Sequence, residues 1–158
     1  MSEPFAIRRA TPRDQLAITT LVRNEHLNPI DLDWRRFVIA TDESGILGAV
    51  QLRKHADRSR ELASLVVRHD ARRRGIAARL IDRLLARIAV RVLMITGAAF
   101  AAHYERWGFR PIEPAKAPAA VRRNYYFGKI VGGAISLLSG RRPRQLAILD
   151  RNSSRRSG

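Results

Sequence analysis

"RHDARRRGIA", residues 68–77, lies where an apolar strand-like run gives way to an apolar helix-like run. Arg68, Arg72, Arg73 and Arg74 crowd one turn, and Gly75 and the small Ala77 follow at once. Like charges at this density repel each other, so the pattern implies an anion from outside the chain. A strand that enters a helix through a glycine-bearing turn is a phosphate-binding arrangement. The first helical turn carries unpaired N–H groups and the positive end of the helix dipole. Residues as small as Gly75 and Ala77 let a diphosphate approach those amides. The spacing Arg72-x-x-Gly75-x-Ala77 is neither the dinucleotide fingerprint nor the P-loop, because their extra glycines and Lys-Ser/Thr pair are missing. A solvated basic helix start is the plainer reading of so short a pattern.

The flanks supply context. "RELASLVVRHD" (60–70) is the most strand-like stretch, and "RRGIAARLIDRLLARIA" (73–89) places Ile76, Leu80, Leu84/Leu85 and Ile88 on one helical stripe. "VRVLMIT" (90–96) reads as a buried strand, "AAFAAHYERWG" (98–108) as a helix ended by Gly108, and "FRPIEP" (109–114) as a short strand. Before the turn, "FAIRRAT" (5–11) reads as a strand and "TPRDQLAITTLVRN" (11–24) as a helix capped by Thr11. Residues 36–55 read as a hairpin turning at "DESG". Strands come first as a meander and then alternate with helices. That order predicts an α/β (α+β) domain: a mixed sheet of six to seven strands flanked by helices, with a parallel pair near its centre. Residues 114–138 are helix-compatible despite Gly128, Gly132 and Gly133, and "RQLAILD" (144–150) reads as a last strand. The expected organisation is one domain over 1–150, with 114–143 as an insertion or lid, and a disordered basic tail at 151–158.

Composition narrows the function classes. The 158 residues suit one globular domain with a full core, and a hydrophobic fraction of 46% argues against general disorder. The longest apolar candidate, "IVGGAISLLSG" (130–140), falls short of the roughly 20 residues a membrane helix needs, so no membrane partner is expected. "MSEPFAIRRA" lacks the basic-then-apolar design of a signal peptide, and zero cysteines remove disulfides, thiolate metal sites and a cysteine nucleophile. A cytoplasmic protein is expected. The net charge is +16, and 27 of the 30 basic residues are arginine, which points to polyanions: nucleic acid, a phosphorylated cofactor or an anionic surface. Residues 140–158 alone carry six Arg against one Asp.

"ELASLVVRHDARRRGIAARLIDRLL" (61–85), followed by "HYERWGF" (103–109), resembles the GNAT superfamily of acetyl-CoA-dependent N-acetyltransferases. In that family an R/Q-x-x-G-x-G/A turn after the fourth strand holds the CoA pyrophosphate on backbone amides. A Y-x-x-x-G-F segment lies in the helix after the fifth strand. Both occur here in that order, and the resemblance covers about residues 5–113. It implies acetyl-CoA as cosubstrate, no metal, and a splayed parallel strand pair at the cofactor site. The implied cofactor contacts are Leu65, Val66 and Val67 toward the pantetheine, and Arg72, Arg73, Arg74, Gly75, Ile76 and Ala77 around the phosphates. His69 stands where the family often has proline, Ala77 is a common variant of a glycine, and "ITGAAF" (95–100) lacks an asparagine frequent near the end of the fifth strand.

Acetyl transfer to an amine needs a base, a polarised carbonyl and a proton for the leaving thiolate. Tyr104, matching the family tyrosine, is the candidate acid; the plain alternative is a core tyrosine. Glu61, where many family members place a catalytic glutamate, is the candidate base; the alternative is a strand-end carboxylate paired with an arginine. Period 2 puts Glu61, Ala63, Leu65 and Val67 on one face of the strand. Arg53, Arg122 and Arg123 are candidates to hold an acceptor carboxylate. His26 and His55 read as loop residues near the acceptor end, and scattered histidines of this kind are more often surface residues than ligands. "RRNYYF" (122–127) reads as a packing helix, as a lid, or as a nucleic-acid stacking run. The leading expectation is an N-acetyltransferase acting on a small primary amine, an anionic one such as an amino acid, and often a homodimer as in the family. The alternative is a basic nucleic-acid or ribosome-associated binding protein that keeps the fold; nucleic acid is the less favoured partner.

Overall fold

A computed structural model describes residues 4–152. The strands are β1 (Ala6–Arg9), β2 (Phe37–Asp42), β3 (Gly45–Lys54), β4 (Arg60–Val67), β5 (Val92–Gly97), β6 (Arg110–Ile112) and β7 (Leu146–Arg151). The α-helices are α1 (Gln15–Asn24), α2 (Ile76–Leu85) and α3 (Ala119–Ser139). Among the described residues the seven strands form a mixed sheet of order β1-β2-β3-β4-β5-β7-β6. This is the fold class the element order predicts. By internal contacts the chain forms two compact units, Met1–Arg53 with Leu62–Ile88, and Lys54–Glu61 with Ala89–Gly158.

The first unit is a meander covered by two helices. β1 pairs antiparallel with β2 (Ile7 opposite Ala40), and β2 with β3 (Val38 opposite Val50). Asp42 closes the β2–β3 turn by accepting from the backbone N–H (2.8 Å) and hydroxyl (2.6 Å) of Ser44. Phe37, Val38, Ile39 and Ala40 are all buried, as expected of a strand covered on both faces. α1 packs Ile18, Leu21 and Val22 against Phe37, Ile39 and Ala49. α2 buries Ile76, Leu80, Ile81 and Leu85. Gly48 makes that approach possible, because a Cβ there would lie 2.9 Å from the Val66 carbonyl and 3.1 Å from Ile76. Ahead of α1, the Asp14 carboxylate takes both Arg8 guanidinium nitrogens (2.8 and 3.0 Å) and the Thr11 N–H (2.7 Å). Those donors, Arg8 first, hold Asp14 far below the ordinary carboxylate range.

The second unit is built on β7, which pairs antiparallel with β5 (Met94 opposite Leu149) and β6 (Pro111 opposite Leu149). α3 covers it with Ala120, Val121 and Tyr125, Val121 and Tyr125 joining a core of Leu93, Ala117 and Ile148. The Ala120 N–H, in the first turn of α3, donates to Asp57 Oδ2 at 3.0 Å, so a residue of the β3–β4 turn fastens the helix start.

Several local expectations change. α2 begins at Ile76 and not at 73, because Arg73 (φ 64°) and Gly75 (φ 74°) adopt left-handed backbone that a helix excludes. β4 stops at Val67, and His69–Ala71 is a short 3-10 turn. Ala98–Trp107 winds as 3-10 helix, ended by Gly108 at φ 86°. The alternation in β4 breaks at Ser64, whose φ of 54° inserts an irregularity. Glu61 and its neighbour Leu62 are both buried, and Glu61, Ala63, Leu65 and Val67 do not behave as one face. α3 runs straight through its three glycines. Of the expected tail, Arg151 ends β7, and residues 153–158 lie outside the described residues.

Candidate active site

In the first unit the arginine turn delivers α2. Gly75 is its N-cap in left-handed conformation, and a Cβ at that position would touch nothing within 4 Å. Backbone conformation, not crowding, therefore calls for glycine here. Arg73 and Gly75 both hold left-handed backbone immediately ahead of the N-terminus of α2. The charge is not left entirely to an outside ligand. Arg68 pairs with Asp70 at 2.5 Å, Arg72 pairs with Glu25, and Arg74 lies 4.0 Å from Asp42. Glu25 also accepts the His69 N–H at 3.1 Å, so the end of α1 braces the turn. Arg73 is exposed, Ile76 is buried and Ala77 half-buried. Upstream, Val66 is buried, Leu65 and Val67 half-buried, and the Val67 carbonyl accepts from Arg72 Nε at 3.3 Å.

The second unit holds both candidate catalytic groups. Glu61 is only 4% exposed, on a strand whose next residue, Leu62, is core. Its Oε2 meets His55 Nε2 at 2.8 Å and accepts from Asn124 Nδ2 at 3.1 Å. A buried carboxylate requires such partners, and both converge on the same oxygen. His55 reaches Glu61 because the chain reverses tightly between them: the His55 N–H donates to the Ser59 carbonyl at 2.9 Å. The structure corrects the surface reading of His55, whose side chain is only 13% exposed.

Tyr104 is half-buried in the 3-10 segment, edge-on to His103 at 5.4 Å between ring centroids. Burial raises its pKa above the ordinary phenol value, and a hydrogen bond with Thr96 of β5 acts the other way by less. At neutral pH it holds its proton.

The three acceptor arginines are placed differently. Arg53 already donates to the Ile30 carbonyl at 3.0 Å and faces Asp31 at 3.5 Å. With the Gln51 amide turned to accept from Ser64 (2.9 Å), Arg53 also donates to it at 3.2 Å. Arg122 makes a long bond of 3.4 Å to the Ala115 carbonyl, and Arg123 stands exposed on α3. His55 and Asn124 are the residues that sequence reasoning did not select. Among the described residues no cluster of three or more His, Asp or Glu side chains is arranged to hold a metal ion.

The sequence model of the acetyltransferase (GNAT) domain matches residues 33–111, half of the chain, including the turn, Glu61 and Tyr104. The chain belongs to the GNAT acetyltransferase family. A search of curated proteins gave no match. Solved structures share the fold. N-acetylglutamate synthase from Neisseria gonorrhoeae, complexed with coenzyme A and N-acetyl-glutamate, superposes with a TM-score of 0.71 at 19% identity, over 98% of this chain and 36% of that one. Rv2747 from Mycobacterium tuberculosis, in complex with CoA, gives 0.67 at 21% identity over 93% and 98%. A ribosomal-protein alanine N-acetyltransferase from Escherichia coli gives 0.65 at 14% over 98% and 97%. The chain thus spans about a third of the length of the synthase.

Proposed function

We propose that this protein transfers the acetyl group of acetyl-CoA to the primary amine of a small anionic acceptor such as an amino acid. The observation that carries the proposal is Glu61, a buried carboxylate held by His55 and Asn124 in a family of acetyltransferases. Residues 72–77 would receive the phosphates on the N–H groups that open α2, with Arg73 adding charge. Glu61, through a water, would take one proton from the acceptor ammonium, so that the free amine attacks the thioester carbonyl. His55 and Asn124 would fix the orientation of the carboxylate. As the C–S bond breaks, Tyr104 would donate its phenolic proton to the departing thiolate and be reprotonated by the second proton that the attacking nitrogen sheds. The C–N bond forms as the C–S bond breaks, and the first proton, taken up by Glu61, passes to solvent.

The anionic acceptor rests on charge. At +16 the chain repels polyamines during encounter, whereas an acceptor carboxylate pairs bidentately with arginine. Arg123, exposed on the same helix as Asn124, suits that role better than Arg53, which is engaged by Asp31 and Ile30. The neighbour crystallised with N-acetyl-glutamate supports an amino-acid acceptor, and the ribosomal-protein enzyme keeps a protein N-terminus as the second candidate. Absence of cysteine supports a cytoplasmic setting. The test pairs calorimetry with turnover: Glu61→Gln should bind acetyl-CoA like the parent and lose acetyl transfer. Equal loss of both would make Glu61 structural.

A further inference from the structure

The distal half of α3 carries a surface that acetyl transfer does not use. Leu137 and Leu138 are 88% and 90% exposed, and Phe127, Ile130, Val131 and Ile135 are exposed with them. At about 100° per residue, these six fall within roughly 160° of the helix circumference. The opposite side faces inward through the buried Tyr125 and the half-buried Gly128, Gly132 and Ser136. A contiguous outward face of this kind exceeds the scattered apolar residues any surface carries, and it marks an interaction site.

Charge says what covers it. From Pro114 to Leu149 the chain has no Asp or Glu, but it has Lys116, Arg122, Arg123, Lys129, Arg141, Arg142 and Arg144. The last three stand exposed directly after the helix, beyond the Gly140 turn at φ 66°. A second copy of the chain would bring an identical cationic rim and a further charge of +16, which opposes association. An anionic bilayer satisfies both parts: apolar side chains enter the headgroup–acyl boundary while arginines meet lipid phosphates. No described helix is long and apolar enough to cross a membrane, so such docking would be interfacial. The sequence expectation of no membrane partner rested on the lack of a spanning run, which surface docking does not need.

We propose that the outer face of α3 from Phe127 to Leu138, with Arg141, Arg142 and Arg144, docks the protein on an anionic lipid surface. The test is flotation of the full chain with phosphatidylcholine vesicles and with phosphatidylcholine–phosphatidylglycerol vesicles. The protein should float with the mixed vesicles only, and less so as salt rises. Leu137→Glu with Leu138→Glu should abolish flotation; both positions are exposed, so melting temperature and acetyl-CoA binding should stay at parent values. Changing Arg141, Arg142 and Arg144 to Gln should weaken binding by roughly fivefold per arginine. No flotation on mixed vesicles, or equal flotation on neutral ones, would overturn the proposal. So would a concentration-dependent dimer in light scattering that the leucine variants abolish, since the face would then belong to a second copy.

Discussion

His55 Nε2 and Glu61 Oε2 lie 2.8 Å apart across a tight reversal of the chain, and Asn124 reaches the same oxygen from α3. Burial of both partners makes the contact one that orients, since exposed pairs contribute little. Glu61→Gln should therefore lower kcat by roughly 10²- to 10⁴-fold, because the amide cannot take a proton. His55→Gln should lose less, with Asn124 still holding the carboxylate, and should lower kcat more than it changes acetyl-CoA affinity. Unchanged kcat in a folded His55→Gln variant would leave His55 a packing residue.

Tyr104 titrates above the ordinary phenol value because it is buried. The proposed acid role needs the protonated form, which the raised pKa keeps throughout neutral pH. Tyr104→Phe should reduce kcat by roughly 10²- to 10⁴-fold with unchanged acetyl-CoA affinity, and should remove any alkaline limb. Retention of that limb in the phenylalanine variant would assign it to another group.

Two substitutions at Gly75 separate backbone strain from charge. A methyl group there meets nothing, so Gly75→Ala costs only the left-handed backbone, about 1 kcal/mol, and should keep acetyl-CoA binding. Gly75→Glu bears the same strain and adds a negative charge where the proposal places the phosphates. Calorimetry should show binding lost in the second variant only. Equal affinity in both would detach the turn from phosphate recognition.

Asp57 makes α3 sensitive to acid. Hydrogen bonds from the Ser59 hydroxyl first, then from the Ala120 and Ser59 N–H groups, lower its pKa to about 2. A lowered carboxylate pKa stabilises the fold above the unfolded value near 4, and that stabilisation is lost as pH falls toward 2. Asp57→Asn should melt below the parent at pH 7, with the gap closing between about pH 4 and pH 2. A gap independent of pH would show that the carboxylate charge is not what fastens the helix.

Much of this was legible in the sequence because it is local. The glycine turn, the stripe of Ile76, Leu80 and Leu85, and the stop at Gly108 depend on neighbours a few residues away, and all recur in the structure. What the sequence hid is long-range. Asn124 meets Glu61 across 63 residues, and Arg72 meets Glu25 across 47, so neither the carboxylate's support nor the internal neutralisation of the turn shows in any window. The strand alternation failed for a different reason, since a left-handed Ser64 has no signature of its own in the residue types.

The acceptor prediction follows from charge. In a screen of amines, amino acids should outcompete spermidine, and Arg123→Gln should raise KM for the amino acid more than it lowers kcat. Efficient spermidine turnover would overturn the charge reasoning.

The most direct measurement is release of the CoA thiol from acetyl-CoA, with and without an amine, followed by the mass of the product. The account predicts release that depends on the amine, one acetyl group gained per thiol freed, and abolition by Glu61→Gln in a protein that still binds acetyl-CoA. No release with any amino acid, polyamine, lysine or protein N-terminus, alongside steeply salt-dependent retention of RNA, would contradict it and leave a nucleic-acid-binding protein on an acetyltransferase fold.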